Sequence, residues 1–374
     1  MKGPGMRWAA VFLGMMAAFS AGCQGREEVV GWSGDELAVG IRPEHIVCQN
    51  GRLYIAGGTH ILALDEETGK LLRRFDGFSK YEAWREERDP EGNVVCARGE
   101  WHPCHVGAIA VAGNRLFATE VFAGNLLVLD LDTWGPPMRL KMPDQGVLAA
   151  APSGREVYYA SNEEAFYRID ARSLQAYRVP YPKGARGIGG ALVSPDGRTL
   201  YLAIQRGARD AGAKAPPSVP PSVAGPANRS GPLLAEYDLT ERRYVALRSI
   251  GDTRVQRVDD ASIPTSLCLS QDGKSLYITL WQCGIGMHVY DVADHCLREP
   301  IVLPDASGLN WPNCWSAAQA GNDLYVTLDH QTHLVRADIV RGQITELGKS
   351  DKAVCRSGNN LYVSISNGIR RIRL

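Results

Sequence analysis

The chain has 374 residues, and its 41 Lys and Arg residues balance its 41 Asp and Glu residues, so the formal net charge is zero. No basic stripe or acidic tail is present, which argues against non-specific nucleic-acid binding, because such binding needs clustered positive charge to replace phosphate counterions. Hydrophobic residues make up 45% of the sequence, enough for a large buried core.

The first 22 residues have the pattern of a secretory signal peptide. Lys2 and Arg7 give a positive start, residues 8–19 form a short apolar run, and small residues precede Cys23. This ending resembles a bacterial lipobox, although Ser20 stands where that motif usually has Leu. The resemblance implies cleavage before Cys23, lipidation of Cys23 and attachment to a membrane; an ordinary cleaved signal is the alternative. We therefore expect an exported, lipid-anchored protein in the periplasm or on the outer face of a membrane.

A repeated phrase then runs through the rest of the chain. Each copy is a glycine-containing turn followed by an alternating strand that starts Leu-Tyr or close to it, and a second strand that mostly ends in Asp follows. The turn glycines are Gly51, Gly113, Gly154, Gly197, Gly273, Gly321 and Gly358. Units of about 40 residues with three or four short strands are typical of propeller blades, which bury both faces by stacking around an axis. The sequence therefore predicts an all-β fold, a seven-bladed β-propeller with four-stranded antiparallel blades over residues 41–374.

The last repeat reaches the end of the chain after only three strands. Residues 23–40 therefore read as a tether and a probable closing strand, in which the segment near 29–39 supplies the outer strand of the last blade. Two insertions lengthen the repeats. The first, at about 76–105, includes a charged stretch over 81–88 that could be a short helix, and the second, at about 207–232, is rich in Pro, Gly and Ser and reads as a surface loop.

Two repeats carry a likeness to a known family. In residues 194–201 and 269–277, an Asp-Gly turn (Asp196-Gly197 and Asp272-Gly273) comes shortly before Leu-Tyr. These stretches resemble the YncE-like, or YVTN, β-propeller repeats of exported bacterial proteins, which are related in architecture to lactonase propellers and to amine dehydrogenase propeller subunits. The resemblance implies the fold over residues 41–374 but no single function, because this architecture hosts many chemistries.

Polar and aromatic side chains are expected at the central opening of the propeller. Loops after the second strand of each blade share one face with the loops between blades, and ligands commonly bind there. The predicted ligand-binding residues are Glu120, Asn162, Gln205, Arg206, Trp281, Gln282, Trp315, Asp329 and His330. A ring of ordinary solvated loops is the alternative interpretation.

Candidate catalytic and metal-binding residues fall in the same loops. Acid–base and oxyanion chemistry would use His45, His105, Glu120, Arg186 and Arg206. A weaker hypothesis is a transition-metal site, because His-x-x-His spacing occurs twice, at His102 and His105 and at His330 and His333. No covalent haem, nucleophile-elbow, Walker or Rossmann motif occurs, so we predict no cofactor beyond such a metal.

Eight cysteines follow Cys23, and an even number in an oxidising compartment favours disulfides. Cys48 and Cys355 occupy equivalent positions in the first and last blades, which are neighbours in a closed ring. Other candidates are Cys283 with Cys314 near the mouth and Cys96 with Cys104 in the first insertion. Cys268 and Cys296 remain without an assigned partner.

The sequence therefore favours a binding or scaffold module of the cell envelope. Its partners would be a protein or small-molecule ligand at the propeller mouth and a membrane through the lipid anchor. The alternative is a lactonase-like hydrolase or an amine-dehydrogenase-like propeller subunit.

Overall fold

The computed structural model describes residues 31–88, 94–143, 145–183, 185–206, 232–250, 263–281, 286–303, 314–328 and 333–374. For residues 83–88, 94–98, 186, 188 and 206 it describes the backbone only. Every regular element in these ranges is a strand. None of the described segments forms a helix of the length and hydrophobicity needed to cross a bilayer.

Two of the thirty strands form a hairpin, and the others form seven four-stranded antiparallel sheets, named blades 1 to 7 in chain order. The chain starts with β1 (Glu36–Ala38), which belongs to blade 7. Blade 1 consists of β2 (His45–Gln49), β3 (Arg52–Gly57), β4 (His60–Asp65) and β5 (Leu71–Phe75). The hairpin follows, as β6 (Lys80–Arg88) and β7 (Val94–Pro103).

The next three blades follow the same order from the axis outwards. Blade 2 consists of β8 (Val106–Ala112), β9 (Arg115–Glu120), β10 (Asn125–Asp130) and β11 (Met138–Lys141). Blade 3 consists of β12 (Gly146–Ala150), β13 (Glu156–Ser161), β14 (Ala165–Asp170) and β15 (Ala176–Pro180). Blade 4 consists of β16 (Ala185–Val193), β17 (Thr199–Arg206), β18 (Leu233–Asp238) and β19 (Arg243–Ser249).

The last three blades complete the ring. Blade 5 consists of β20 (Ile263–Leu269), β21 (Ser275–Trp281), β22 (Met287–Asp291) and β23 (Cys296–Ile301). Blade 6 consists of β24 (Cys314–Ala320), β25 (Asp323–Leu328), β26 (His333–Asp338) and β27 (Gln343–Lys349). Blade 7 consists of β28 (Val354–Ser357), β29 (Asn360–Ile365) and β30 (Gly368–Arg373), with β1 outside them. The predicted seven-bladed, four-stranded propeller is therefore confirmed.

The core is divided among the seams between blades. Each of its seven apolar clusters joins side chains of two neighbouring blades. Period-two alternation produces this arrangement, because successive side chains of a strand point to opposite faces. On β13, for example, Tyr158 packs towards blade 4 and Tyr159 towards blade 2, and both are 1% exposed. Burying a side chain of this size stabilises the fold by about 1.5–3 kcal/mol.

The two ends of the chain meet in blade 7. β1 pairs with β30 through three residue pairs, from Glu36 opposite Arg370 to Ala38 opposite Gly368. Leu37, which is 1% exposed, joins the apolar cluster between blades 7 and 1. Gly368 allows the close approach, because a Cβ there would lie 2.3 Å from the carbonyl oxygen of Leu37. The ring is thus closed by hydrogen bonds and packing.

The first insertion is a β-hairpin, so the short helix expected over 81–88 is wrong. β6 pairs with β7 along its whole length, from Lys80 opposite Pro103 to Arg88 opposite Val94. Cross-strand pairing has overridden the helix propensity of the Glu, Ala and Arg residues in β6. The hairpin also excludes a bond between Cys96 and Cys104, because eight residues of extended chain span about 26 Å, far beyond disulfide reach.

The six cysteines whose side chains the structure describes form no disulfide with one another. Cys48 and Cys355 lie on the adjacent innermost strands β2 and β28, with their sulfur atoms 3.2 Å apart. This contact lowers the pKa of Cys355, because the neighbouring thiol can hydrogen-bond to its thiolate. Cys268 and Cys296 lie on the innermost and outermost strands of blade 5, and Cys283 lies outside the described residues.

We predict that mild oxidation links Cys48 to Cys355. The sulfur atoms need to approach by only about 1 Å to reach bonding distance, and the bond would stabilise the closed ring by about 2–4 kcal/mol. Peptide mass spectrometry under non-reducing conditions should find this cross-link, and the oxidised protein should melt at a higher temperature. Cys355→Ser should abolish both effects; an oxidised protein that keeps both thiols would contradict the prediction.

A histidine is buried in blade 5 without a polar partner. His288 on β22 is 1% exposed, and neither ring nitrogen has a hydrogen-bond partner in the part of the chain that the structure describes. Burial favours the neutral ring and lowers its pKa from 6.5 to about 4. The unfolded chain therefore takes up a proton near pH 6.5 that the folded chain refuses until about pH 4, so acidification through this window destabilises the fold.

We predict that His288 costs about 3 kcal/mol of folding free energy between pH 6.5 and pH 4, because each pKa unit corresponds to about 1.4 kcal/mol. Denaturant unfolding of the wild type and of His288→Leu at both pH values would measure it. Subtracting the pH-dependent change in unfolding free energy of one protein from that of the other removes the contribution of the carboxyl groups that titrate in the same pH range. Equal pH dependence in both proteins would refute the prediction.

Candidate functional site

One end of the ring, which we call the mouth, collects the starts of the innermost strands and the ends of the second strands. The antiparallel register places them together, as when His45 of β2 lies opposite Ala56 of β3 and Val106 of β8 opposite Glu120 of β9. The loops that the sequence analysis selected therefore do share one end of the propeller. The turn glycines of the repeats lie at the opposite end.

Bulges interrupt several innermost strands at the mouth. In β24, Cys314 pairs with Leu328 and Ser316 with Thr327, so the intervening Trp315 has no ladder partner. A β-bulge redirects the side chain of its extra residue and is common beside functional sites. Trp315 is only partly buried, but its indole Nε1 is fully buried and has no hydrogen-bond partner among the described residues.

The loops that lead into blades 7 and 1 place charged groups beside this tryptophan. The Lys352 ammonium lies 4.8 Å from the centroid of the Trp315 ring and 3.4 Å from Oε1 of Glu44. Arg42 donates from both Nε and Nη2 to Asp351, whose side chain is only 5% exposed. Arg–carboxylate contacts of this kind are strong and directional. They fix the two loops against each other across the seam between blades 7 and 1.

His45 stands at the start of β2 beside this cluster. Burial lowers the pKa of its imidazole, Glu44 opposes that shift and Lys352 adds to it. The ring also hydrogen-bonds to the backbone of Gly107 in blade 2. The structure therefore holds His45 in an orientation set by the next blade, with its neutral form favoured.

Side-chain hydroxyls support the mouth from one layer below. Thr327 Oγ1 donates to the carbonyl oxygen of Lys352 at 2.9 Å, which ties blade 6 to blade 7. Thr265 Oγ1, in the bulge of β20, donates to the carbonyl oxygen of Cys314 and so ties blade 5 to blade 6. The backbone around Trp315 is thus held on both sides.

Glu120 is not a free carboxylate, contrary to its assignment as a ligand-binding and catalytic candidate. It is 1% exposed and accepts hydrogen bonds from the backbone and hydroxyl of Ser79, from Asn125 and from Arg139. Both carboxylate oxygens are occupied by these donors. Glu120 therefore anchors the base of the hairpin to blade 2 and has no lone pair left for a substrate.

The remaining predicted residues are not brought into one group. Asn162 is exposed and donates to Gln145 at 2.8 Å, Gln205 lies beside Gly187, and Trp281 ends β21. His105 is partly buried between the hairpin and β8, where its carbonyl oxygen accepts from Val121. Only the backbone of Arg186 and Arg206 is described, and Gln282, Asp329 and His330 lie outside the described residues.

The histidines proposed as metal ligands lie in different parts of the molecule. His102 is on the exposed end of β7, 3.5 Å from Glu100, and His333 begins β26 of blade 6, where it contacts the Glu346 carboxylate. Across the ranges that the structure describes, no three His, Cys, Asp or Glu side chains form a group that could hold a metal ion. With His330 outside these ranges, the pair His330 and His333 stays a prediction.

Sequence reasoning missed the two ion pairs across the seam between blades 7 and 1, Arg42 with Asp351 and Glu44 with Lys352, of which Lys352 lies against Trp315. A signal for these pairs was present in the sequence. One acidic and one basic residue stand shortly before the innermost strand of both the first and the last blade, and a closed ring makes these blades neighbours. A search for proline before each innermost strand passed over blade 7, where Ser350-Asp351-Lys352 contains none.

Comparison with known proteins supports the fold. No family model matches the sequence, and no curated protein matches it either. Among solved structures, the chain is similar to hydrazine synthase from Kuenenia stuttgartiensis, with a TM-score of 0.63 and 16% identity over 92% of this chain and 99% of that chain. It is also similar to the Cps50 (Swd1) β-propeller domain from Myceliophteria thermophila, with a TM-score of 0.62 and 12% identity over the same shares. At these identities the likeness shows the β-propeller fold.

Proposed function

We propose that the chain is a binding module of the bacterial cell envelope that holds a protein or small-molecule ligand at the mouth, against Trp315. The observation that carries this proposal is the buried, unpartnered Nε1 of that side chain. Burying a donor without a partner costs about 1–3 kcal/mol. Departures of this kind from local rules are expected where function has been favoured over stability.

The charges around Trp315 also favour binding over acid–base catalysis. Asp351 is held by Arg42, and Glu44 by Lys352, so both carboxylates are already paired. A ligand would meet an indole, an ammonium group and fixed loops. Such a surface can recognise an acceptor group next to an apolar one, and it needs no proton transfer.

One observation favours the alternative, a lactonase-like hydrolase. His45 is a partly buried imidazole with a lowered pKa, and a neutral imidazole is the form that a general base needs. Against this, Glu120, another of the acid–base candidates, already accepts hydrogen bonds from Ser79, Asn125 and Arg139.

We predict that Trp315→Phe weakens ligand retention while leaving the melting temperature unchanged or higher, because the substitution removes an unpartnered donor and keeps an aromatic face. The purified protein would be incubated with the small-molecule and peptide fractions of an envelope extract, and retained compounds identified by mass spectrometry. Trp134→Phe, in a turn at the opposite end of the ring, is the matched control.

Compounds retained equally by the wild type and Trp315→Phe would contradict binding at the mouth. Turnover of a simple lactone that is lost in His105→Ala, with no change in melting temperature, would replace the binding module by the hydrolase.

The envelope location rests on residues 1–23, which lie outside the described residues. We predict that radiolabelled palmitate is incorporated into the wild-type protein and that the protein sediments with membranes. Cys23→Ser should lose the label and move to the soluble fraction, because the lipid-bearing thiol is gone. A signal that is cleaved without lipidation would leave wild type and variant unlabelled and in the same fraction.

A further inference from the structure

The seam between blades 3 and 4 opens into a cleft away from the mouth. Its volume is about 170 Å³. Aromatic rings and two guanidinium groups make up most of its wall, contributed by Tyr158, Phe166, Arg168, Tyr177, Tyr237 and Arg242. The cleft lies on the side of the ring, between the outer strands of the two blades, and shares none of these residues with the Trp315 cluster.

At the next seam of the same propeller, the equivalent position carries a carboxylate. Arg168 of blade 3 and Glu236 of blade 4 occupy equivalent sites, each opposite the tyrosine of its own repeat. Tyr237 of blade 4 and Tyr290 of blade 5 are likewise equivalent, each opposite the leucine of its repeat. The repeat therefore allows the two seams to be compared residue by residue.

Between blades 4 and 5 the chain supplies its own carboxylate. Glu236 is 3% exposed, and its Oε1 accepts the hydroxyl of Tyr290 and lies 2.9 Å from Nδ1 of His295. Between blades 3 and 4 a guanidinium replaces that carboxylate. The hydroxyl of Tyr237 makes no hydrogen bond within the described part of the chain, although it faces the equivalent space.

One of the two cations of the cleft has no ion pair among the described residues. Arg168 lies 3.6 Å from Glu156, which also accepts the hydroxyl of Tyr158 at 2.5 Å. Arg242 has no ion pair or hydrogen bond among the described residues. Burial raises the pKa of Tyr237, and Arg168 and Arg242 oppose that shift, as expected if both cations lie near its hydroxyl. Asp238 also acts on Tyr237, but its carboxylate accepts the backbone N–H groups of Thr240 and Glu241.

The walls of the cleft are held rigid by ring contacts. Phe166 meets Tyr237 edge to face, with centroids 5.1 Å apart, and the Arg168 guanidinium lies 5.0 Å from the centroid of Tyr177. Tyr237 is packed on its other side by Tyr244, at 5.1 Å. Aromatic walls fixed in this way offer apolar surface without a large loss of side-chain entropy on binding.

We propose that this cleft binds a small organic acid with one carboxylate and an aromatic body. The carboxylate occupies the position that Glu236 fills at the next seam, accepts the Tyr237 hydroxyl and pairs with Arg242 and Arg168. The aromatic body lies against Phe166 and Tyr177. A single negative charge gives Arg242 a partner, and the ring makes use of walls that a simple inorganic anion would leave in water.

Benzoate is the probe that tests this proposal, with benzamide as a neutral molecule of the same shape. In calorimetric titrations of the purified protein, benzoate should bind saturably at millimolar concentration and benzamide at least about tenfold more weakly, because charge-assisted hydrogen bonds are lost. Arg242→Ala and Tyr237→Phe should each weaken benzoate binding by about tenfold. Both variants should keep the wild-type melting temperature, since neither group has a partner to lose.

Arg341→Ala is the matched control, because it removes an exposed arginine from the corresponding turn of blade 6. Benzoate binding should be unchanged in this variant and in Trp315→Phe, which separates the cleft from the mouth. Absence of saturable benzoate binding, equal binding of benzamide, or binding unaffected by Arg242→Ala and Tyr237→Phe would each overturn the proposal.

Discussion

The pairing of β1 with β30 is the contact on which the rest of the molecule depends. Every apolar cluster of the core lies in a seam and needs two blades to cover it. A ring that is open at one seam would expose two sheet faces to water, with the apolar surface that both were built to bury. Closing blade 7 with a strand from the other end of the chain lets every blade cover the apolar face of its neighbour at all seven seams.

The same repeat produces two quite different sites. At the mouth, bulges in the innermost strands release side chains such as Trp315 from the ladder, so the residues there are free to vary without disturbing the seams. In the seam between blades 3 and 4, the ladder is regular, and the proposed site differs from the next seam by Arg168 in place of Glu236. At the mouth the backbone register differs between blades. In the seam between blades 3 and 4 the backbone pairing is regular and a single side chain differs.

Repetition made the fold predictable from the sequence. Seven Gly turns with Leu-Tyr strands fixed the number of blades, and the missing fourth strand of the last repeat pointed to residues 29–39, within which β1 lies. The hairpin over 80–103 was not predictable from local propensity, because cross-strand pairing decided it. The charged cluster beside Trp315 was missed for a related reason: Arg42 and Asp351 are 309 residues apart and meet only when the ring closes. Glu120 was found, but the sequence did not show that Ser79 at the hairpin base and Asn125 and Arg139 of blade 2 would engage its carboxylate.

Closure by three residue pairs also sets where the molecule can open. Proteins unfold locally at their least stable units long before they unfold as a whole. Detachment of β1 breaks one short ladder and exposes Leu37, but it leaves the ladders of the other six blades intact. Blade 7 is therefore the natural gap in the ring. Asp351 and Lys352 lead into that blade. Slow detachment and rebinding of β1 would therefore move the loops around the mouth.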